Sequence, residues 1–325
     1  FYIETRDAKG RWQNITLDRL KDKLGTRELP TAEIHLDGTP AQLVGEARHG
    51  VRMIAPMLNV TRSWNAVCAI ATMRRALALA RDYAQRRHAF DRALAEQPLH
   101  RTTLANLQAR FEAAFHLTFY VVELLGLAQT GAASEGQRNQ LRLLTPLVKL
   151  WTGKLAVTIA SEACECLGGA GYLEDTGLPQ LLRDAQIYSI WEGTTNVLAL
   201  DFLRALRGAG GAQTLLDAQA VLQAQVKADA VIACAKSAQE RATQFATRLQ
   251  ALAGDRDALE AHARDLALGF ARSFALSLLA HHADWALHRE NDARPAAAAR
   301  RFAELLAPPA THDYADTCAL GAGSD

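Results

Sequence analysis

Apolar and polar residues alternate in short bursts over residues 1 to about 46, as in Phe1-Tyr2-Ile3-Glu4 and Ala32-Glu33-Ile34-His35-Leu36. Gly and Asp turns such as Asp37-Gly38-Thr39-Pro40 separate the bursts. A period of two with this punctuation predicts strands and tight turns. From about Gly50 the period lengthens to three and four, as at Met73, Leu77 and Ala80, and stays so almost to the end. That spacing lines one face of a helix. It predicts long helices near 57–86, 97–130, 136–170 with a kink at Pro146, and 195–207. Two more amphipathic helices follow near 213–252 and 256–289, then a shorter Ala-rich one near 295–306. Gly131 and the run Gly208-Ala209-Gly210-Gly211 stop helices, and the run also reads as a linker. Residues from about 310 are expected to fray. The chain is therefore expected to be mainly α: the remnant of a β-domain over 1–46, a helical bundle domain over 47–210, and a helical extension over 211–325.

Composition adds limits. A chain of 325 residues, 49% apolar and 22% charged, can bury a real core. The formal net charge of +1, with twelve Lys/Arg against fourteen Asp/Glu from residue 207 onward, leaves no basic footprint in bulk. Nucleic acid is not an expected partner. The five cysteines, Cys68, Cys164, Cys166, Cys234 and Cys318, are odd in number and scattered, which fits a reducing cytoplasm rather than a disulfide framework. Cys164 and Cys166 point to different faces of a helix, so no metal pair is expected there. His281, Asp284 and His288 have a spacing that gathers ligands on one helix face, or equally a solvated face with a His–Asp contact. No metal is expected. No run approaches 18 uninterrupted apolar residues, so no membrane is expected either. The opening at Phe1, in what reads as a strand, suggests a fragment.

The most informative stretch runs Arg183-Asp184-Ala185-Gln186-Ile187-Tyr188-Ser189-Ile190-Trp191-Glu192-Gly193-Thr194-Thr195-Asn196. A carboxylate flanked by Ile190 and Trp191 is unusual in a solvated loop. Apolar neighbours raise a carboxyl pKa toward neutrality, which suits a general base. The alternative is a helix start, with Thr194 or Thr195 as cap and Glu192 on the N-terminal side, where negative charge is favourable.

This segment resembles the signature of the acyl-CoA dehydrogenase superfamily, in which an aromatic-Glu-Gly-Thr follows an Arg-Asp-Ala. Leu167-Gly168-Gly169-Ala170-Gly171-Tyr172, Tyr83-Ala84-Gln85-Arg86-Arg87-His88-Ala89-Phe90 and Leu58-Asn59-Val60-Thr61-Arg62 resemble further family motifs, in the family's order. Together they cover residues 1 to about 207. The pieces Leu20–Arg27, Met73–Ala76, Gln97-Pro98-Leu99 and Ile190–Gly193 resemble the AidB-like branch, named for an adaptive-response alkylation-protection protein, which also carries a helical extension. The resemblance implies a C-terminal four-helix bundle of the acyl-CoA dehydrogenase type.

Carried over residue by residue, it implies FAD-dependent α,β-dehydrogenation of an acyl-CoA thioester. Glu192 would take the α-proton while the flavin accepts the β-hydrogen as hydride. In some relatives the base sits on the earlier helix just before the Arg matched by Arg62; that position is Thr61 here. Arg87 would grip FAD phosphate across a subunit interface. Its alternative is a solvated helix-end Arg, although Asp82 stands four residues before Arg86 and so pairs with that neighbour instead. Gly168 and Gly169 would let backbone N–H groups approach the pyrophosphate, or else form a helix C-cap. Phe90, Gln97, Glu165, Thr194 and Asn196 follow as FAD contacts. Arg62, Trp191 and Gly193 follow as substrate contacts, with a surface Arg the alternative for Arg62.

Implied partners are an acyl-CoA, an electron-transfer flavoprotein, and further copies of the chain in a dimer or tetramer. Two departures stand out. Asp91 replaces the Gly after the motif Phe, and Glu165 replaces a Gln before Leu-Gly-Gly. Rival readings are an AidB-like flavoprotein associated with DNA protection, and a non-catalytic helical oligomerisation fragment.

Overall fold

The apolar positions that alternate along the start of the chain are uncovered: Leu17, Leu20, Ile34 and Leu36 are each about half exposed, and no residue of Phe1–Thr61 is buried. In this computed structural model residues 1–311 and 314–321 are described. They form two compact units, Phe1–Thr61 and Arg62–Asp325. In the first, strands β1 (Ile15–Leu20) and β2 (Ala32–Leu36) pair antiparallel, with an irregularity between Leu17 and Arg19. A two-stranded ribbon without a second layer has no core of its own. Ion pairs from Arg19 and Lys21 to Glu33 tie its strands instead.

Helix α1 (Gly50–Arg86) starts earlier than its periodicity predicts and contains the division at 61/62. A two-residue hairpin, β3 (His88–Ala89) and β4 (Arg92–Ala93), leads to α2 (Pro98–Gln129) and α3 (Glu135–Cys166). Pro98 opens α2, where a missing N–H costs nothing. Ser134 and Gln137 close α3's first turn with reciprocal side-chain bonds. Short α4 (Leu178–Ala185) and α5 (Thr195–Leu206) complete the bundle. α1, α2, α3 and α5 supply Met73, Leu117, Leu147 and Phe202, all fully buried in one cluster. The chain is mainly helical, as its pattern predicts.

Beyond Gly211 come α6 (Gln213–Gln225), α7 (Asp229–Leu252), α8 (Arg256–Ala261), α9 (Ala263–Arg289), α10 (Arg294–Glu304) and α11 (Tyr314–Gly321). The packing does not divide at 210/211. Phe202 of α5 meets Phe270 of α9 at 5.6 Å between ring centroids, Tyr120 of α2 meets Phe274 at 5.5 Å, and Trp151 of α3 meets Phe302 of α10 at 5.9 Å. The Gly-rich run is a linker within one core.

Two long helices predicted here are each broken. The stretch 213–252 is interrupted at Val226–Ala228, where the N–H groups of Lys227 and Ala228 both donate to Asp284 Oδ1 of α9, at 2.7 and 2.6 Å. The stretch 256–289 is interrupted at buried His262. The region expected to fray forms α11 in part; the expectation for 312–313 and 322–325 falls outside the described residues.

By length and composition alone α2 and α3 are each apolar enough to cross a membrane, a test that tolerates a few charges inside the span. In α3, however, 83% of that window is buried against the rest of the fold. It is the central helix. Gly153 on α3 permits a close approach. A Cβ there would stand 2.6 Å from the Tyr188 carbonyl oxygen, so only Gly lets the 186–189 turn lie on the helix. Gly153→Ala is expected to destabilise the protein by about 1–3 kcal/mol through this overlap. Thermal unfolding of the variant checks it; an unchanged midpoint would show that the turn yields freely.

Candidate functional site

Glu192 lies in the tight connection between the 186–189 turn and α5, and its backbone is left-handed, with φ +59°; Gly193 follows at φ +108°. For a residue with a Cβ this costs roughly 1–2 kcal/mol, and such strain persists where surroundings impose it. Two cations impose it here. Arg62 Nε of α1 donates to the Glu192 carbonyl at 3.2 Å, and Lys149 Nζ of α3 donates to the Gly193 carbonyl. Both bonds act on the backbone and leave the Glu192 carboxylate free to point elsewhere.

Each cation is itself held. Arg62 Nη1 reaches Asp201 Oδ2 of α5 at 2.8 Å, and Arg142 Nη2 of α3 reaches Asp201 Oδ1 at 2.8 Å. Burial alone raises the Asp201 carboxyl pKa, but the hydrogen bonds and charges of Arg142 and Arg62 outweigh it and hold the group below the ordinary aspartate value. Lys149 is 1% exposed. Burial pushes its ammonium down to about 8, with Arg62 acting in the same direction and Glu192 against it.

The other expected site residues separate into those with work inside the fold and those that face outward. Arg62 is occupied by Asp201 and the Glu192 carbonyl, so it is neither a surface Arg nor a free cation. Thr194 stands at the N-cap of α5, as the helix-start reading has it, but makes no side-chain cap bond, and Glu192 lies outside the helix, half-buried. Ile190, Trp191, Thr194 and Asn196 are exposed. Gly168 has φ +60° directly after the α3 cap, the geometry of a helix terminator; Gly169 lies in open space. Gly171 is the close-packed one, since a Cβ would fall 1.9 Å from the Cys164 carbonyl oxygen.

Arg86 pairs with Asp82, and the Arg87 guanidinium has no partner among the described residues. Phe90 and Asp91 form the hairpin turn, both left-handed at φ +53° and +67°. Asp tolerates this conformation better than most residues, which is how the position accepts it in place of Gly. Gln97 binds its own hairpin: Nε2 donates to the Ala89 carbonyl at 2.9 Å and Oε1 accepts from Arg92 at 3.0 Å. Phe90, Gln97 and Glu165 do converge, on a cleft of about 340 Å³ shared with Leu99, His100 and Glu162. His288 contacts Asp284, and His281 meets Gln225.

The family described as acyl-CoA dehydrogenase, C-terminal domain, matches residues 48–207. Residues 48–207 of the chain belong to that family. Acyl-CoA dehydrogenase family member 11 of Caenorhabditis elegans is 50% identical over 208 residues, covering 64% of this chain and 34% of the relative. Putative acyl-CoA dehydrogenase AidB of Escherichia coli is 36% identical over 216 residues, covering 66% and 39%. The chain thus spans little more than a third of these curated relatives. The crystal structure of Caenorhabditis elegans ACDH-11 in complex with C11-CoA superposes with a TM-score of 0.90 at 36% identity, over 97% of this chain and 56% of that one. That overlap necessarily takes in most of the helices beyond Gly211.

Within this acyl-CoA dehydrogenase domain, sequence reasoning missed Lys149, Asp201 and His100. The signal for Lys149 was present: a lone cation inside Leu143-Leu144-Thr145-Pro146-Leu147-Val148-Lys149-Leu150-Trp151 sits on no polar face. His100 Nε2 is buried without a hydrogen-bond partner among the described residues and lines the Phe90 cleft. A lysine held at about 8 when folded, against 10.5 free, binds fewer protons folded than unfolded between those values. Its contribution to stability therefore rises as pH increases through about 8 to 10.5. Lys149→Met is expected to flatten that rise. Denaturant unfolding across the alkaline range checks it, and an unaltered slope would remove Lys149 as the cause.

Proposed function

We propose that the full-length protein is an FAD-dependent acyl-CoA dehydrogenase in which Glu192 removes the α-proton of the thioester. The supporting observation is the left-handed Glu192–Gly193 pair, fixed at both carbonyls by Arg62 and Lys149. A base must sit within hydrogen-bond reach of one particular C–H, so a backbone clamped against relaxation serves orientation. The carboxylate carries the proton away, and its half-buried setting limits competing water.

The surface near the hairpin fits a dinucleotide cofactor. The unpartnered Arg87 and the accessible N–H groups after Gly168 suit phosphate. The exposed Phe90 and Leu99 suit an aromatic ring system, and buried His100 Nε2 awaits a polar group. Glu162 and Glu165 disfavour phosphate inside their cleft, so the ring or sugar part belongs there and the phosphates at Arg87. FAD when bound supplies a hydride acceptor for the β-carbon. An electron-transfer flavoprotein then serves as the electron acceptor. Phe90, Leu99 and Tyr172, at 91%, 81% and 90% exposure, suit burial against another copy of the chain.

The test is the visible spectrum of the purified full-length protein before and after anaerobic addition of undecanoyl-CoA. A flavin band that bleaches is the expected result. A flavin-free protein, or a band indifferent to several acyl-CoA chain lengths, would overturn the proposal.

A further inference from the structure

Away from Glu192, a cavity of about 350 Å³ opens among α2, α3, α9 and α10. Four cationic side chains line it: Arg110 of α2, Lys154 of α3, and Arg264 and Arg272 of α9. No carboxylate is among its lining residues, and none of the four cations makes an ion pair among the described residues. The acid next to this group, Asp265, uses Oδ2 to accept the Ala310 N–H at 2.9 Å. A small adjoining recess shares Arg272 and Leu306 and adds Asp265 together with Arg241, whose Nε is buried with no partner among the described residues. The remaining wall is largely apolar: Trp151 and Phe302 meet in a tilted pair, and Leu268 and Leu305 line it half-buried.

Converging like charges repel: burial and the Arg110 charge disfavour the Arg272 cation, and the neighbouring Asp265 charge only partly opposes them. Arginines are rarely gathered in a concavity without something to neutralise them, and their planar forks match carboxylate and phosphate oxygens. The volume lies in the range of small-molecule sites, with apolar lining for the body of a ligand and polar groups for its orientation.

We propose that this cavity binds an amphipathic anion, its carboxylate or phosphate headgroup among Arg110, Arg264 and Arg272 and its apolar body against Trp151, Leu268 and Leu305. Because α2 and α3 belong to the family domain and α9 and α10 to the segment beyond Gly211, such a ligand would brace the two segments against each other. The site stands apart from the Glu192 connection and does not depend on the dehydrogenase reading.

The experiment uses the full-length protein with decanoate and with inorganic phosphate as probes, read by calorimetry and by the thermal midpoint. Decanoate is expected to bind saturably and raise the midpoint, with phosphate weaker. The double variant Arg110→Gln/Arg272→Gln should lose at least about tenfold in decanoate affinity while its far-UV circular dichroism is unchanged. Lys154→Gln, at an exposed position that leaves folding intact, should weaken binding severalfold and guards against misfolding of the double variant. Absence of saturable binding, equal affinity in the variants, or phosphate binding as tightly as decanoate would overturn the proposal.

Discussion

Glu192→Gln in the full-length protein is expected to slow reduction of the flavin by an acyl-CoA by roughly 10²–10⁴-fold, the usual contribution of a positioned general base. The substitution largely isolates the chemistry, because the local architecture uses the carboxylate only through its charge, which favours the Lys149 ammonium, and not through a hydrogen bond on which the turn depends. Arg62 and Lys149 bond to the carbonyls of residues 192 and 193, which Gln retains, and the left-handed backbone is equally costly for Glu and Gln. The variant should therefore fold, keep its flavin, and bind substrate with little change. Rapid-mixing measurement of flavin bleaching, alongside a thermal midpoint, separates these effects. A variant that bleaches at the full rate would show that another group takes the proton.

Much of the architecture was legible in the chain. The change of period near Gly50 located the helical body, and Gly131 and Gly168 marked helix ends by local chemistry that operates wherever the chain folds. The breaks at 226–228 and 262 were not legible, because neither contains Gly or Pro. The first is stabilised by Asp284, whose oxygen accepts two N–H groups from more than fifty residues away in sequence, and the second by a buried histidine. Division of the chain was misleading for a related reason. A run such as Gly208–Gly211 reports where a helix stops, whereas packing continuity depends on whether Phe270 and Phe302 meet Phe202 and Trp151, which local composition does not reveal.

The candidate site shows the same split. The Arg-Asp-Ala and Trp-Glu-Gly-Thr pieces singled out Glu192 as a candidate but gave nothing of its left-handed conformation, whose carbonyls are held by cations on two other helices. Gln97 and Arg62, read as cofactor and substrate contacts, also bond within the fold, which depends on three-dimensional neighbours that the motifs do not contain.

Asp201→Ala is expected to cost about 3–5 kcal/mol, the magnitude seen when one member of a buried charge cluster is removed and its partners are left uncompensated. Asp201 and Arg62 have side chains only 10% and 14% exposed, so water cannot replace the lost carboxylate at Arg62. Arg142, at 38%, can turn to solvent, and Arg142→Ala should cost no more than about 1 kcal/mol. The asymmetry is what distinguishes a buried anchor from a surface network. Since the folded Asp201 carboxyl is held below its unfolded value, its contribution is complete above that unfolded value and is lost as pH falls through the folded one. The wild-type protein should therefore lose more stability than Asp201→Ala on acidification below about pH 4, where free aspartate begins to protonate. Denaturant unfolding of the three proteins at neutral and acid pH measures both differences. Equal costs for Asp201→Ala and Arg142→Ala would mean that Arg62 finds another counter-charge. In that case Arg62 would hold the Glu192 carbonyl without this carboxylate, and the clamp would not depend on Asp201.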